Sequence, residues 1–226
     1  MIKWEILPDN IKRDAVRPFY DILKKKRFEL FLKRVFDIVF SLILIILLSP
    51  IMLVLSIWIK LDSDGPVFFK SERITTFGKP FKIYKFRTMV TGADKKGAAV
   101  TTKGDSRITK VGAKIRHSRL DEIPQLFNVL VGDMSFVGTR PEAPKYVEKY
   151  TDEMIATLLL PAGITSTASI TYKDEDKVLS QFINEGMDID DAYIQKVLPD
   201  KMKYNLEYIE KFSFLTDIKI CFKTVF

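Results

Sequence analysis

Asp121 and Glu122 stand side by side in the stretch Leu120-Asp121-Glu122-Ile123-Pro124, with Arg116, His117 and Arg119 just ahead of them. Neighbouring residues on a helix project about 100° apart, so two adjacent carboxylates can take separate roles. One can meet a reacting phosphorus while the other holds a metal ion or controls a proton. The structural alternative is a helix start, where carboxylates meet exposed amide groups and Pro124 suits an early helical position. Four arginines bear on the choice: Arg87, Arg107, Arg116 and Arg140 lie near glycine-rich turns, strand ends or short helices. A guanidinium fork matches phosphate oxygens better than a lysine point charge does, and a carboxylate beside a phosphate is repelled unless cations or a metal compensate. An acidic pair among arginines therefore points to phosphoryl transfer with a divalent ion, set against a reading of each arginine as a solvated surface charge.

Other catalytic machinery is missing. Gly78-Lys79 lacks P-loop spacing, and no GxGxxG signature follows a strand. His117 is the sole histidine and Cys221 the sole cysteine, which excludes a multi-histidine centre, a multi-cysteine centre and an intramolecular disulfide. Ser118 has no motif to activate it. The formal charge of +7 suits nucleic acid, anionic lipid or a phosphorylated substrate, and only its placement can choose. No recognition element for nucleic acid accompanies the aromatic and basic residues of Phe77 to Phe86, so nucleic acid is not an expected partner.

The elements that must position these residues begin with a membrane segment. Val35 to Ile59 is apolar except for Asp37 and long enough for the hydrocarbon core. Upstream, Lys24 to Arg34 mixes cations with Phe28, Leu30, Phe31 and Leu32, which predicts an interfacial helix that favours anionic lipid and holds its flank in the cytoplasm. Ser49-Pro50 interrupts the apolar run. Two arms of about a dozen residues would each reach about 20 Å, short of the ~30 Å hydrocarbon core. A bent hairpin would leave by the face it entered, with Ser49 as a partner for freed backbone and Trp58 and Lys60 at the returning interface. Hydropathy alone favours the other reading, a straight span with a tolerated proline.

After the turn at Leu61 to Pro66, aromatic and apolar residues flank Gly78-Lys79-Pro80, which predicts a β-hairpin with Phe81, Ile83 and Lys85 on one face and Lys82, Tyr84 and Phe86 on the other. Thr91 to Asp105 reads as an exposed loop. From Ile108 short helices follow, anchored by Ile115, Leu120, Ile123, Leu126, Phe127 and Leu130. Helices are expected over Tyr146–Leu160, ending before Pro161, and over Asp188–Val197, ending before Pro199. A terminal amphipathic helix should place Phe212, Leu215, Ile218 and Phe222 on one face.

SDGPVFFK with KFRTM, then RLDEIPQLFNVLVGDMSFVGTRPE, GIT and YIEKFSFLTDIKICFKTV, resemble the bacterial sugar transferase family, the monotopic polyprenyl-phosphate phosphoglycosyl transferases, from Lys33 to Val225. The resemblance implies the family's short catalytic form and an α+β fold: a re-entrant membrane helix with an interfacial, mostly helical catalytic domain containing a small β-hairpin. It divides the chain into a basic interfacial region (1–34), a re-entrant helix bent near Ser49-Pro50 (35–60) and a cytoplasmic transferase domain with a terminal amphipathic helix (61–226). It implies a bacterial inner-membrane enzyme that moves a sugar-1-phosphate from a UDP-sugar to polyprenyl phosphate, of the undecaprenyl type, and releases UMP. Asp121 then corresponds to a nucleophile that becomes covalently phosphosugar-modified, and Glu122 to a residue that helps bind Mg2+. Arg116 and Arg140 match the family's arginines before the dyad and in the G-x-R-P motif, and Arg87 is that of KFRTM; Arg107 stands on the residue reading alone. UDP-sugars are cytoplasmic, which turns the choice at Ser49-Pro50 towards the bent form. Two departures concern specificity. GTRP, with Thr139, stands for the common GPRP, and Pro161-Ala162-Gly163-Ile164-Thr165-Ser166 lacks the usual leading basic residue and final glycine. Neither the sugar nor the oligomeric state is legible in these motifs.

Overall fold

A computed structural model describes residues 2–93, 105–171 and 175–225. The loop expected at Thr91 to Asp105 lies mostly outside these. Helix α1 (Arg17–Lys25) starts with a proline in its first turn, buries Phe19, Tyr20 and Leu23, and ends at a turn on Lys26. Helix α2 (Arg27–Asp62) runs 36 residues, about 54 Å at ~1.5 Å each, and continues through Pro50. Pro50 has no N–H for the Ile46 carbonyl four residues back; the Ser49 hydroxyl donates to that carbonyl at 2.8 Å in its place. The Ser49 hydroxyl thus answers the freed carbonyl as expected, but within one continuous helix rather than at a sharp bend between two arms.

Between its ends α2 exposes Ile43, Ile46, Leu47, Leu53, Val54 and Ile57 to an extent that water would penalise. By length and composition α2 can cross a membrane. Its ends are bound differently. Lys33, Asp37 and Ser41, spaced by four, form a buried stripe. The Lys33 ammonium donates to Asp217 at 2.7 Å and to the Val137 carbonyl at 2.6 Å, and Tyr208 donates its hydroxyl to the other Asp217 oxygen at 2.7 Å. Asp37 accepts from Ser135 Oγ and from the Phe136 amide, both at 3.1 Å. Arg34 donates to the carbonyls of Val129 and Leu130. Two cations expected to face lipid are thus spent inside the protein, because they lie on the stripe of α2 that meets the domain. At the far end Met52, Leu55 and Ile59 pack with Phe86, Val111 and Ile115.

Strands β1 (Phe68–Ile74) and β2 (Pro80–Phe86) pair antiparallel, Phe68 opposite Phe86 and Ile74 opposite Pro80, as the expected hairpin. Its turn places both Phe77 (φ 60°) and Gly78 (φ 76°) in the left-handed region. Phe81 and Ile83 pack with Val129, Met134 and Ala162, while Phe86 points the other way into the core against α2. Helix α3 (Lys110–His117), a 3-10 turn at Leu120–Glu122 and helix α4 (Gln125–Val131) follow, then β3 (Met134–Val137), α5 (Pro144–Val147), β4 (Ala162–Thr165), α6 (Thr167–Thr171), α7 (Glu175–Asn184), α8 (Ile189–Ala192), α9 (Leu198–Glu210) and α10 (Phe214–Val225).

The α+β class is as expected, but β3 and β4 form a second, parallel pair that was not. Four-residue strands without alternation leave little pattern to read. Three further expectations need correction. Tyr146–Leu160 is not one helix: α5 stops, and a separate 3-10 segment, Met154–Leu159, follows. The helical run from Asp188 does not end before Pro199: it passes through the π-helical Tyr193–Val197 into α9, and Pro199 lies just after that wider turn. The terminal piece is two helices, broken where Ser213 Oγ accepts from the Thr216 amide at 3.1 Å. Phe212 is consequently 1% exposed while Leu215 and Phe222 are 71% and 62% exposed, so the four residues do not share a face. Phe127, expected as an anchor, is also exposed.

Replacing Lys33 by Met strands the Asp217 carboxylate in the core and should cost about 3–5 kcal/mol. Pairing that change with Asp217→Leu should recover most of the loss. Thermal unfolding of the purified proteins in detergent checks both, and a single variant that melts with the parent would remove the pair from the account of the fold.

Candidate active site

The acidic pair is delivered by a left-handed step. Arg119 adopts φ 53°, ψ 20°, which ends the run from α3 and turns Leu120–Glu122 into a tight 3-10 turn. Asp121 is buried there, and neither carboxylate is a helix cap: α4 starts at Gln125 behind Pro124 with no side-chain cap bond. Both carboxylates nevertheless lie in the first turn of that 3-10 element, so the pair opens a helical stretch, as the helix-start alternative has it, but caps nothing. Two braces hold the turn. Ahead of it, α3 is capped by Thr109, whose Oγ accepts from Gly112 N at 2.9 Å, and by Asp62 at the end of α2, which accepts from Val111 N at 3.0 Å. Gly112 approaches Thr88 so closely that a Cβ would stand 2.1 Å from its carbonyl oxygen. Behind it, buried Asn128 on α4 clamps β2: its Oδ1 accepts from Tyr84 N at 3.0 Å and its Nδ2 donates to Lys82 O at 2.9 Å.

With β2 fixed to α4, Lys85 reaches Glu122 and its Nζ donates to Oε1 at 2.6 Å. Arg140 approaches the same oxygen at 4.0 Å from the loop after β3. Arg116 lies within electrostatic reach of Asp121, as Arg119 does of Glu122. Of the residues singled out from the sequence, the fold thus gathers Asp121, Glu122, Arg116 and Arg140. The hydrogen bonds of Arg87 and Arg107 go elsewhere. Arg87, 4% exposed, donates to Ser63 O at 2.5 Å and Ser63 Oγ at 3.0 Å, which fastens β2 to the end of α2. Arg107 embraces Asp105 at 2.6–3.1 Å, and its hydrogen bonds bring that carboxyl down to about 2.

Lys85 was not foreseen. The signal for it was present: it shares a strand face with Phe81 and Ile83, and a lone ammonium on a face otherwise bound for the core requires a buried anion.

Burial, opposed by Lys85 and reinforced by Glu122, pushes the Asp121 carboxyl above its ordinary value of 3.8. Burial acts on Glu122 too, but Lys85 and then Arg140 outweigh it and hold Glu122 below the usual range. Burial likewise lowers Lys85, with Glu122 resisting. The pair is split into one carboxylate that is firmly ionised and one with raised basicity, the division that lets neighbouring acids do different work. Among the described residues no group of three His, Cys, Asp or Glu side chains could hold a metal by itself. Magnesium needs no such cage, since it takes one or two carboxylates and fills its shell with substrate phosphates and water. Glu122 fits that demand, although Lys85 now shares its oxygen.

Residues 28–226 match the family described as bacterial sugar transferase. A UDP-N-acetylgalactosamine-undecaprenyl-phosphate N-acetylgalactosaminephosphotransferase of Aeromonas hydrophila is 38% identical over 199 residues, 86% of this chain and 43% of that protein. A UDP-glucose:undecaprenyl-phosphate glucose-1-phosphate transferase of Escherichia coli is 37% identical over 86% of this chain and 39% of its own length. An undecaprenyl-phosphate galactose phosphotransferase of Salmonella typhimurium is 35% identical over 88% and 40%. The chain thus spans about two fifths of the length of these relatives.

Because the folded value of Asp121 is raised, its contribution to stability is fully present below the unfolded carboxylate value and is lost as pH rises through the folded one. Asp121→Asn should therefore raise the melting temperature at pH 7, with the gain shrinking as the pH approaches 4. A melting series across that range checks the sign.

Proposed function

The chain belongs to the bacterial sugar transferase family, and from that premise we propose that it transfers a sugar-1-phosphate from a UDP-sugar to a polyprenyl phosphate through a covalent intermediate on Asp121. The observation that carries the reading is the acidic pair with split basicity, Asp121 buried and Glu122 half-buried, set among Lys85, Arg116 and Arg140.

In the first step an Asp121 oxygen forms a bond to the sugar-bearing phosphorus as the bond from that phosphorus to the bridging diphosphate oxygen breaks, and UMP leaves with the electron pair. In the second, an oxygen of the polyprenyl phosphate attacks the same phosphorus and the Asp121 carboxylate departs, leaving a polyprenyl-diphosphate-sugar. Arg140 and Arg116 offset charge on the transferring phosphates, and Lys85 fixes Glu122 beside them. Glu122 would hold Mg2+, which when bound supplies Lewis-acid neutralisation of the diphosphate. Two successive displacements let a water-soluble donor and a lipid acceptor use one nucleophile in turn.

The membrane reading follows the same lines. Lys33, Arg34 and Asp37 near one end of α2, and Ile59 to Ser63 at the other, all rest on a single body. A helix that crossed a ~30 Å core would part those ends. Their common attachment supports a segment that enters and leaves on the cytoplasmic side, where the UDP-sugar is. The three relatives differ in sugar by their names, so the donor here is assigned by a panel of UDP-glucose, UDP-galactose and UDP-N-acetylgalactosamine rather than by likeness.

Purified enzyme with Mg2+, a short polyprenyl phosphate and the panel should release UMP; release of UDP would instead indicate an ordinary sugar transfer. Asp121→Asn should abolish both UMP release and the mass increment of a phosphosugar on intact protein. Lys85→Met should lower kcat by about a hundredfold, the scale of one lost electrostatic contact in a dry site. For topology, single cysteines placed before Lys33 and after Lys60 in a Cys221-free background should label from the same side of sealed inside-out vesicles.

A further inference from the structure

The loop that carries Arg140 is fixed at both ends, and its far end is fixed by residues outside the site described above. At the near end Gly138 donates to Thr165 O at 3.0 Å and Gly163 donates to Thr139 O at 2.8 Å. A Cβ on Gly163 would stand 2.2 Å from Gly138 N, so this approach admits no side chain. At the far end Ile74 N donates to the carbonyl of Glu142 at 3.0 Å. The Glu142 carboxylate, buried, accepts from the Tyr193 hydroxyl at 2.6 Å. Lys201, 2% exposed, donates to that same phenol oxygen at 3.0 Å and stands 3.7 Å from Glu142 Oε1.

Tyr193 and Lys201 are eight residues apart, and eight α-helical steps of about 100° would leave them about 80° out of line. The stretch Tyr193–Val197 between them is π-helical. Its wider turn takes up the difference and brings both side chains onto Glu142. A buried ammonium is costly unless paired, and a well-packed apolar trio would serve stability at least as well. What the polar trio adds is a fixed position for the residue two places before Glu142.

That residue is Arg140. The family's common form of this loop has proline where this chain has Thr139, and proline would set φ covalently. None of the hydrogen bonds above uses the Thr139 N–H. We propose that Glu142, Tyr193 and Lys201 are positioning residues for Arg140, so that donor binding depends on the helical run from Ile189 to Glu210, and that they stand in for the rigidity the loop lacks without a proline. The inference rests on the reading of Arg140 as a phosphate contact. The donor's diphosphate is the group whose binding should register the loss of the clamp.

The test uses full-length enzyme in detergent with the best donor of the panel, following UMP release over a donor titration at saturating acceptor. Tyr193→Phe keeps the ring and removes the hydroxyl; it should raise the donor KM about tenfold with kcat within about threefold. Lys201→Met should move KM in the same direction, and it provides the comparison if the phenylalanine variant does not fold. Adding Thr139→Pro to Tyr193→Phe should return the donor KM to within about threefold of wild type, a rescue that a merely destabilised protein would not show. Donor KM within about twofold of wild type in both single variants overturns the clamp, as does a loss that Thr139→Pro leaves untouched. A wild-type protein that releases no UMP from any donor overturns the transferase reading itself, whereas an active wild type with insensitive variants overturns the clamp alone.

Discussion

A buried ammonium ties the apolar helix to the rest of the protein. Lys33 is held by Asp217, by the Val137 carbonyl and, through Asp217, by Tyr208, so one side chain joins α2, β3, α9 and α10. Such a charge survives away from water only with its partners in place, and the elements that supply them are therefore obliged to assemble together. The other polar ties of α2 extend the same constraint towards the dyad. Arg34 donates to the last carbonyls of α4, where a cation is favoured. Asp62 caps α3, and Arg87 holds the end of α2 to β2. The helix before the acidic turn and the helix after it are both gripped by the segment suited to lipid. The long apolar helix is thus part of the frame of the candidate site.

The electrostatics of the dyad follow from which carboxylate those supports bring into contact with a cation. Lys85 could be delivered to only one of two neighbours that point different ways, and the Asn128 clamp on β2 delivers it to Glu122. Asp121 is then buried with its neighbour's negative charge beside it and only longer-range relief from cations. Its raised basicity comes first from burial, with Lys85 opposing and the charge of Glu122 adding to it, and is present before any substrate arrives.

Much of this was legible from residue types and spacing: the long apolar segment with its basic flank, the hairpin about Gly78, the dyad, and two of its arginines. What escaped detection shares a physical cause. Lys33, Arg34 and Arg87 look like surface or substrate cations until the fold supplies the carbonyls and the carboxylate that consume them, and those lie 24 to 184 residues away in the chain. The strands β3 and β4 are too short to show a period, and their pairing is enforced by a glycine contact between distant segments. Helix boundaries were misplaced wherever a proline or serine has two local meanings. Pro199 lies inside a helical run, next to a π-helical turn, rather than ending it, and Ser213 starts a new helix inside a pattern that reads as continuous.

The hydrogen bond from Ser49 to Ile46 has a further consequence. A proline in a lipid-facing helix ordinarily leaves a carbonyl that must be answered by a neighbouring helix or by water drawn into the hydrocarbon. Here the answer lies in the preceding residue, within a single turn. The helix therefore runs on through its proline with the freed carbonyl answered from within its own turn. Ser41 makes the same bond to the Ile38 carbonyl with no proline near it, so the serines of this helix keep their hydroxyls on their own backbone and present little polarity to the surroundings.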